Sequence, residues 1–101
     1  MKTVCVKRLT IVCDGALELD IAKEIRELGA TGYTFTHAHG AGVKGIRPNR
    51  WHLANLRIEI VASPELADRI LEHVSKKYFE RYGVIAWLDD VEVVRGEKFG
   101  S

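Results

Sequence analysis

The period of the hydrophobic residues constrains the fold of this 101-residue chain more than any other feature. Residues 4–14 alternate in the two-residue period of a β-strand. Residues 18–28 then follow the 3.6-residue period of an amphipathic helix, and Gly29 supplies a natural helix end. The chain thus begins with a strand followed by a helix.

The remaining sequence repeats these two periods around one irregular stretch. Residues 40–54 contain three glycines, a proline and three basic side chains, which predicts a basic loop. Ser63-Pro64-Glu65 has the composition of a helix start, and Gly83 is the expected end of that helix. The other segments are predicted strands at 31–39, 55–62 and 84–95, the last with a bulge at Asp89-Asp90.

The resulting order, βαββαβ, is the signature of the ferredoxin-like α+β fold. It predicts a four-stranded antiparallel sheet with both helices on one face. The other face should mix apolar groups such as Val61 with Arg57 and Glu59. A half-apolar sheet face without helices indicates subunit packing.

Charge, hydropathy and cysteine spacing restrict what the protein can bind and where it can work. The net charge of +1 gives no field that would recruit nucleic acid or an anionic membrane. No apolar run reaches the length of a transmembrane helix, and we expect a cytoplasmic protein. Cys5 and Cys13 should lie on one strand about 26 Å apart, too far for a disulfide.

Three stretches resemble the PII signalling family: residues 27–36, 40–42 and 56–61. The loop and the carboxy-terminal half are similar to the carbon-sensing branch, the SbtB-like and carboxysome-associated PII proteins, at residues 40–47, 78–79, 85–88 and 91–95. The resemblance implies one PII-like domain over residues 1–99, with a T-loop at about 40–54. Residues 100–101 form a short tail of the kind that expression vectors leave.

The resemblance also implies a function. Family members are homotrimers that bind adenine nucleotides in clefts between subunits, so the expected ligand is AMP, ADP, ATP or cyclic AMP, with bicarbonate as a second ligand. The T-loop would dock on a transporter or a carbon-fixation protein. Val43-Lys44 stands where the nitrogen-sensing branch has arginine and glutamine, so we expect no response to 2-oxoglutarate. The function implied is signalling, not catalysis.

The predicted loop offers groups for phosphate. The backbone N–H groups of Gly40 and Gly42 could form an anion-binding nest. Lys44 and Arg47 would add cations, and Arg95 is what remains of the family's carboxy-terminal arginine pair. The alternative for these residues is a plain hairpin turn with solvated charges.

Strand residues complete the predicted nucleotide site: Thr34, Thr36, Glu59 and Val61. The two threonines share one side of their strand, where hydroxyls could meet a ribose, an adenine edge or a phosphate. The alternatives are the ordinary β-propensity of threonine and a salt bridge from Glu59 to Arg57 or Arg95.

A metal-binding trimer similar to the CutA family is the competing hypothesis. His37 and His39 share a strand face, and Cys13 lies on another strand, but no further ligand has a recognisable spacing. Catalysis has less support, because Asp89 and Asp90 face opposite ways on a strand and no nucleophile motif is present.

Overall fold

The computed structural model describes residues 1–38 and 55–94 of the chain. The elements follow the predicted βαββαβ order, with one short 3-10 turn before the first helix. They are β1 (Thr3–Asp14), the 3-10 turn (Gly15–Leu17), α1 (Glu18–Leu28), β2 (Tyr33–Ala38), β3 (Asn55–Ala62), α2 (Pro64–Tyr78) and β4 (Ile85–Val94).

The four strands form one antiparallel sheet in the order β2-β3-β1-β4. The two longest strands, β1 and β4, pair without interruption from Thr3 opposite Val94 to Val12 opposite Ile85. This is the predicted ferredoxin-like sheet. The described part of β2 ends at Ala38, which lies opposite Asn55, the first residue of β3.

Local chemistry fixes the helix ends. The Ser63 hydroxyl accepts a hydrogen bond from the Leu66 N–H at 3.3 Å, and Pro64 occupies the first turn, as expected for the start of α2. Gly29 ends α1 in the left-handed region, at a φ of 118°, and its N–H donates to the Arg26 carbonyl at 3.0 Å.

The predicted end of α2 was wrong. The helix ends at Tyr78, and the chain then turns, with the Tyr82 N–H donating to the Tyr78 carbonyl at 2.9 Å. The Tyr82 ring packs against the Tyr78 ring at 5.7 Å between centroids. Gly83 therefore lies after this aromatic turn and shortly before the last strand.

The predicted bulge in β4 was also wrong. Its register against β1 is continuous, and each of the two aspartates meets a cation in regular pairing. Asp89 pairs with Arg8 and Asp90 with Lys7, each at 2.7 Å. Successive strand residues face opposite sides, so the two carboxylates point apart, as the sequence predicted.

The hydrophobic core lies between the sheet and the two helices. One side of the central strands and one stripe of each helix are almost entirely excluded from solvent. The largest fully buried side chains there are Leu9, Ile11, Ile21, Ile25, Leu56, Ile58, Ile60, Ile70 and Val74. Burial of each contributes about 1.5–3 kcal/mol, so this helix-covered face holds the folded chain together.

We call the opposite side of the sheet the open face, because neither helix of the described chain packs on it. Three rows of cross-strand neighbours define it. They are Val61–Arg8–Asp89, Thr34–Glu59–Thr10–Trp87 and Thr36–Arg57–Val12–Ile85. The predicted mixture of Val61, Arg57 and Glu59 on this face is confirmed.

Candidate functional site

A polar row crosses the middle of the open face. Thr34 on β2 lies opposite Glu59 on β3, Glu59 lies opposite Thr10 on β1, and Thr10 lies opposite Trp87 on β4. Directly opposite residues in antiparallel strands have neighbouring side chains on the same face. The row therefore brings a carboxylate, two hydroxyls and an indole together.

Arg57 connects the two sides of this row. Its Nε and Nη2 donate to the same oxygen, Oε2 of Glu59, at 3.3 and 3.2 Å. Its guanidinium carbon lies 5.5 Å from the centre of the Trp87 ring, within the range of a cation–π contact. Because β1 lies between the strands that carry Arg57 and Trp87, the arginine side chain must reach across β1.

Thr10 lies at the centre of this arrangement. It has no exposed surface, although it sits on the face without helices. Within the described part of the chain its Oγ1 has no hydrogen-bond partner. A buried hydroxyl without a partner is uncommon in folded proteins, so this position marks the row as unusual.

A second ion pair lies beside the row. Arg8 donates from Nε and Nη2 to the two carboxylate oxygens of Asp89, at 3.1 and 2.7 Å. These hydrogen bonds hold the pKa of Asp89 below its ordinary value, against the opposing effect of desolvation. Together with the Arg57–Glu59 pair, this balances the charges within the three rows of the open face.

The structure tests where four of the predicted site residues lie. Thr34 and Thr36 are exposed on one side of β2, as predicted, and Glu59 and Val61 are half-buried on the same side of β3. All four share the open face. The alternative given for Glu59, a salt bridge to Arg57, is present, and the ligand-binding role of Glu59 stays a prediction.

The other predicted site residues lie outside the described residues. They are Gly40, Gly42, Lys44, Arg47 and Arg95. The described residues on either side of the predicted T-loop, Ala38 and Asn55, lie opposite each other at one end of the described sheet. That end of the sheet is next to the row that contains Thr36 and Arg57.

The described residues do not assemble the metal site of the competing hypothesis. His37 Nε2 lies 3.3 Å from Glu18 Oε1, and no group of three potential metal ligands occurs within residues 1–38 and 55–94. His39 lies outside these ranges. Burial, helped by the nearby Asp14, raises the pKa of the Cys13 thiol to about 12, which makes it a poor thiolate ligand.

Sequence reasoning missed a polar cluster between the helices. The Glu24 carboxylate accepts hydrogen bonds from the Tyr78 hydroxyl at 2.9 Å and from His73 Nε2 at 2.8 Å, and it also contacts Lys77. Burial raises the pKa of Glu24, but bonds from Lys77, His73 and Tyr78 outweigh it and leave the pKa below 4.5. Only the packing of the two helices brings these residues together.

It also missed the pairing of Arg57 with Trp87. The two residues are 30 positions apart and on strands that do not touch each other. The pairing could have been found from the registers of β3 and β4 against β1, because these registers place Arg57 one row away from Trp87.

Neither described helix is long and apolar enough to cross a bilayer.

Comparison with known proteins gives full-length matches. The family model described as nitrogen regulatory protein P-II matches residues 6–98. A PII-like signalling protein from Thermus thermophilus is 42% identical with a TM-score of 0.85, and the match covers 99% of this chain and 100% of that one.

Two structures of CPII from Thiomonas intermedia also match over 98% of both chains. One is bound to ADP and bicarbonate, with 26% identity and a TM-score of 0.85. The other is bound to ADP, AMP and acetate, with 25% identity and a TM-score of 0.84. The likeness to bicarbonate-bound CPII supports the predicted carbon-sensing branch. With the family match over residues 6–98, these findings establish that the chain belongs to the P-II family.

Proposed function

We propose that this protein is a P-II-type signalling protein that binds an adenine nucleotide between the subunits of a homotrimer. The observation that carries the proposal is the full-length likeness to CPII bound to ADP and bicarbonate. AMP, ADP, ATP and cyclic AMP are the candidate nucleotides, and the role is signalling without catalytic turnover.

The open face supports assembly. It exposes Ile85 and Trp87, which are 56% and 40% accessible, beside a balanced set of ion pairs. Apolar groups among paired charges are suited to a contact between identical subunits, whereas a single chain leaves them in water. Three copies packed through this face would form three clefts.

We place the nucleotide in these clefts, with Thr34, Thr36, Glu59 and Val61 on the sheet side. The phosphates would meet the nest of Gly40 and Gly42. Lys44, Arg47 and Arg95 would supply the positive charge that the balanced sheet face lacks, since arginine offers phosphate a bidentate fork.

Bicarbonate is the proposed second ligand, and inorganic carbon uptake or fixation is the proposed output. A small anion gains little against water by itself, so it should bind after a nucleotide has ordered the T-loop. AMP or ADP is the better first ligand for such sequential binding, because the γ-phosphate of ATP would compete with bicarbonate for the same cations. The T-loop would then engage a cytoplasmic surface of a transporter or a carbon-fixation protein.

Calorimetric titration with ADP tests the proposal, in bicarbonate and again in chloride at matched pH and ionic strength. We expect tighter ADP binding in bicarbonate, and linkage requires ADP to tighten bicarbonate by the same factor. Arg47→Ala should weaken ADP binding by about 1.5–3 kcal/mol, the range for a hydrogen bond to a charged group.

Arg50→Ala is the matched control, because Arg50 belongs to the same predicted loop and has no counterpart in the family motif. Equal losses in both variants would indicate general electrostatics and not a phosphate site at Arg47. Failure of every adenine nucleotide to bind would overturn the proposed function. A 2-oxoglutarate response with Mg-ATP would contradict the assignment to the carbon-sensing branch.

A further inference from the structure

Three residues at the centre of the open face have no role in the proposed nucleotide site: Thr10, Arg57 and Trp87. Thr10 and Arg57 lie beside Glu59, which the proposed site does use, and Trp87 contacts Arg57. Their geometry indicates how Glu59 is prepared for a ligand.

The arginine leaves half of the Glu59 carboxylate available. Both donated hydrogen bonds go to Oε2, and Oε1 accepts none from the described residues. A carboxylate is an acceptor at both oxygens. The guanidinium therefore fixes the rotamer of Glu59 and balances its charge, while Oε1 can still accept a hydrogen bond from another molecule.

Trp87 holds the arginine from the other side. The guanidinium is anchored at Glu59 on β3 and at the indole on β4, with β1 between them. A planar group held at two ends loses most of its freedom, and lysine could not reproduce both contacts. Arg57 and Trp87 thus form a rigid link from β3 across β1 to β4, and we call these two residues the bridge.

Thr10 provides an independent sign that the row is incomplete. It lies opposite Glu59, it is fully buried, and its hydroxyl has no partner within the described residues. A buried hydroxyl destabilises the folded chain while it is unpaired. Spare hydrogen-bonding capacity thus exists on two adjacent residues of the row, at Thr10 and at Glu59.

We propose that Arg57 and Trp87 are positioning residues that orient Glu59 to accept a hydrogen bond from the nucleoside part of the ligand. The donor is a ribose hydroxyl or the exocyclic amino group of adenine. This inference rests on the proposed nucleotide binding, and it assigns the recognition of the nucleoside to a bridge that spans three strands.

If the bridge only stabilised the fold, its loss should lower folding stability. The Arg57 and Glu59 side chains are 40% and 35% exposed, and partly exposed ion pairs of this kind contribute little to stability. Loss of the Arg57–Glu59 ion pair should therefore leave folding almost unchanged. Its effect should appear in nucleoside affinity.

The test is a double-mutant cycle measured by calorimetry with ADP. Glu59→Gln and Arg57→Met should each weaken ADP binding by about tenfold, the effect of losing one hydrogen bond to a charged group. Because Arg57 acts through Glu59, the double variant should bind no more weakly than Glu59→Gln alone. Arg69→Met, the same substitution on α2, is the control and should bind as the wild type does.

Two further variants examine the bridge itself. Arg57→Lys keeps the charge but loses the planar fork, so it should lose most of what Arg57→Met loses. Trp87→Phe keeps an aromatic face and should bind more tightly than Trp87→Leu. Thermal unfolding and sedimentation of the Arg57 and Glu59 variants should remain those of the wild type, and the two Trp87 variants are compared at concentrations at which sedimentation shows the same assembly.

Nucleotide analogues identify the donor. We compare 2′-deoxy-ADP, 3′-deoxy-ADP and IDP, which lack the 2′-hydroxyl, the 3′-hydroxyl and the amino group of ADP. The analogue that lacks the donor should bind the wild type as weakly as ADP binds Glu59→Gln. That same analogue should lose nothing further in Glu59→Gln.

Several results would overturn the inference while nucleotide binding stands. One is that Glu59→Gln binds ADP as tightly as the wild type does. Another is that the double variant with Arg57→Met binds ADP a further tenfold more weakly than Glu59→Gln. A third is normal binding of all three analogues to the wild type. If the wild type binds no adenine nucleotide, the proposed function itself fails, and this inference fails with it.

Discussion

The two faces of the sheet differ in how completely one chain satisfies them. On the helix-covered face, Ile58 and Ile60 are fully buried, and the acidic group between the helices, Glu24, has three donors around it. On the open face, Ile85 and Trp87 are exposed and the Thr10 hydroxyl has no partner in the described chain. The first face stabilises the chain, and the second is suited to contacts beyond it.

An isoleucine-to-alanine substitution should lower folding stability on the helix-covered face and subunit association on the open face. The loss of stability is the largest effect we expect. Ile60→Ala removes fully buried atoms from the core, which should lower the free energy of unfolding by about 2–5 kcal/mol. Ile85→Ala removes atoms that a single chain leaves exposed. It should instead weaken subunit association.

Chemical denaturation and analytical sedimentation over a range of concentrations measure the two effects. If Ile85→Ala destabilises the chain as Ile60→Ala does and leaves the assembly intact, the two faces do not have separate roles. We expect instead that Ile60→Ala changes only the denaturation result and Ile85→Ala only the sedimentation result.

A smaller effect should follow from the acidic group between the helices. Glu24 is 13% exposed at the side chain, so Glu24→Gln removes a charged acceptor from a partly desolvated site and should cost about 1–3 kcal/mol of unfolding free energy. Glu27→Gln, three residues along the same helix, is the control. Its side chain is 65% exposed and its cation, Lys23, lies 4.0 Å away, so the change should be under about 0.5 kcal/mol.

Equal losses in the two glutamine variants would mean that the bonds from Tyr78, His73 and Lys77 add nothing to helix packing. The helix-covered face would then owe its stability to apolar burial alone.

The smallest expected effect is a dependence on pH. The pKa of Glu24 is lower in the folded chain than its ordinary value of 4.5. Its contribution to stability is therefore fully present above pH 4.5 and is lost as the pH falls from there towards the lowered pKa. The difference in unfolding free energy between wild type and Glu24→Gln should shrink over this acidic range.

Denaturant unfolding at a series of pH values measures that difference directly. A gap between the two proteins that stays constant from neutral to acidic pH would contradict the lowered pKa. Asp89, whose pKa is lowered by Arg8, adds the same sign of dependence to both proteins and cancels in the comparison.

Much of the fold followed from local pattern. Strand residues 55–62 and the side of β2 that carries Thr34 and Thr36 could be predicted, because a two-residue period fixes the face of every residue once one face is buried. The end of α2 could not, because the helix gives way at Tyr78 to a turn in which Tyr82 packs on Tyr78, and no helix-end residue such as glycine marks that point.

The candidate site was less accessible to sequence reasoning. The bridge of Arg57 to Trp87 depends on the registers of two strand pairs, and the cluster around Glu24 depends on how two helices pack. Both are properties of packing between elements. The loop residues, by contrast, were predicted by family resemblance, and their role remains a prediction.

We propose that the open face is completed by other copies of the chain and an adenine nucleotide. Native mass spectrometry of the protein with ADP and bicarbonate tests both parts in one spectrum. We expect an assembly of three chains that carries up to three ADP molecules, with fewer bound in Arg47→Ala. A single chain without nucleotide, under conditions where the fold is intact, would contradict it.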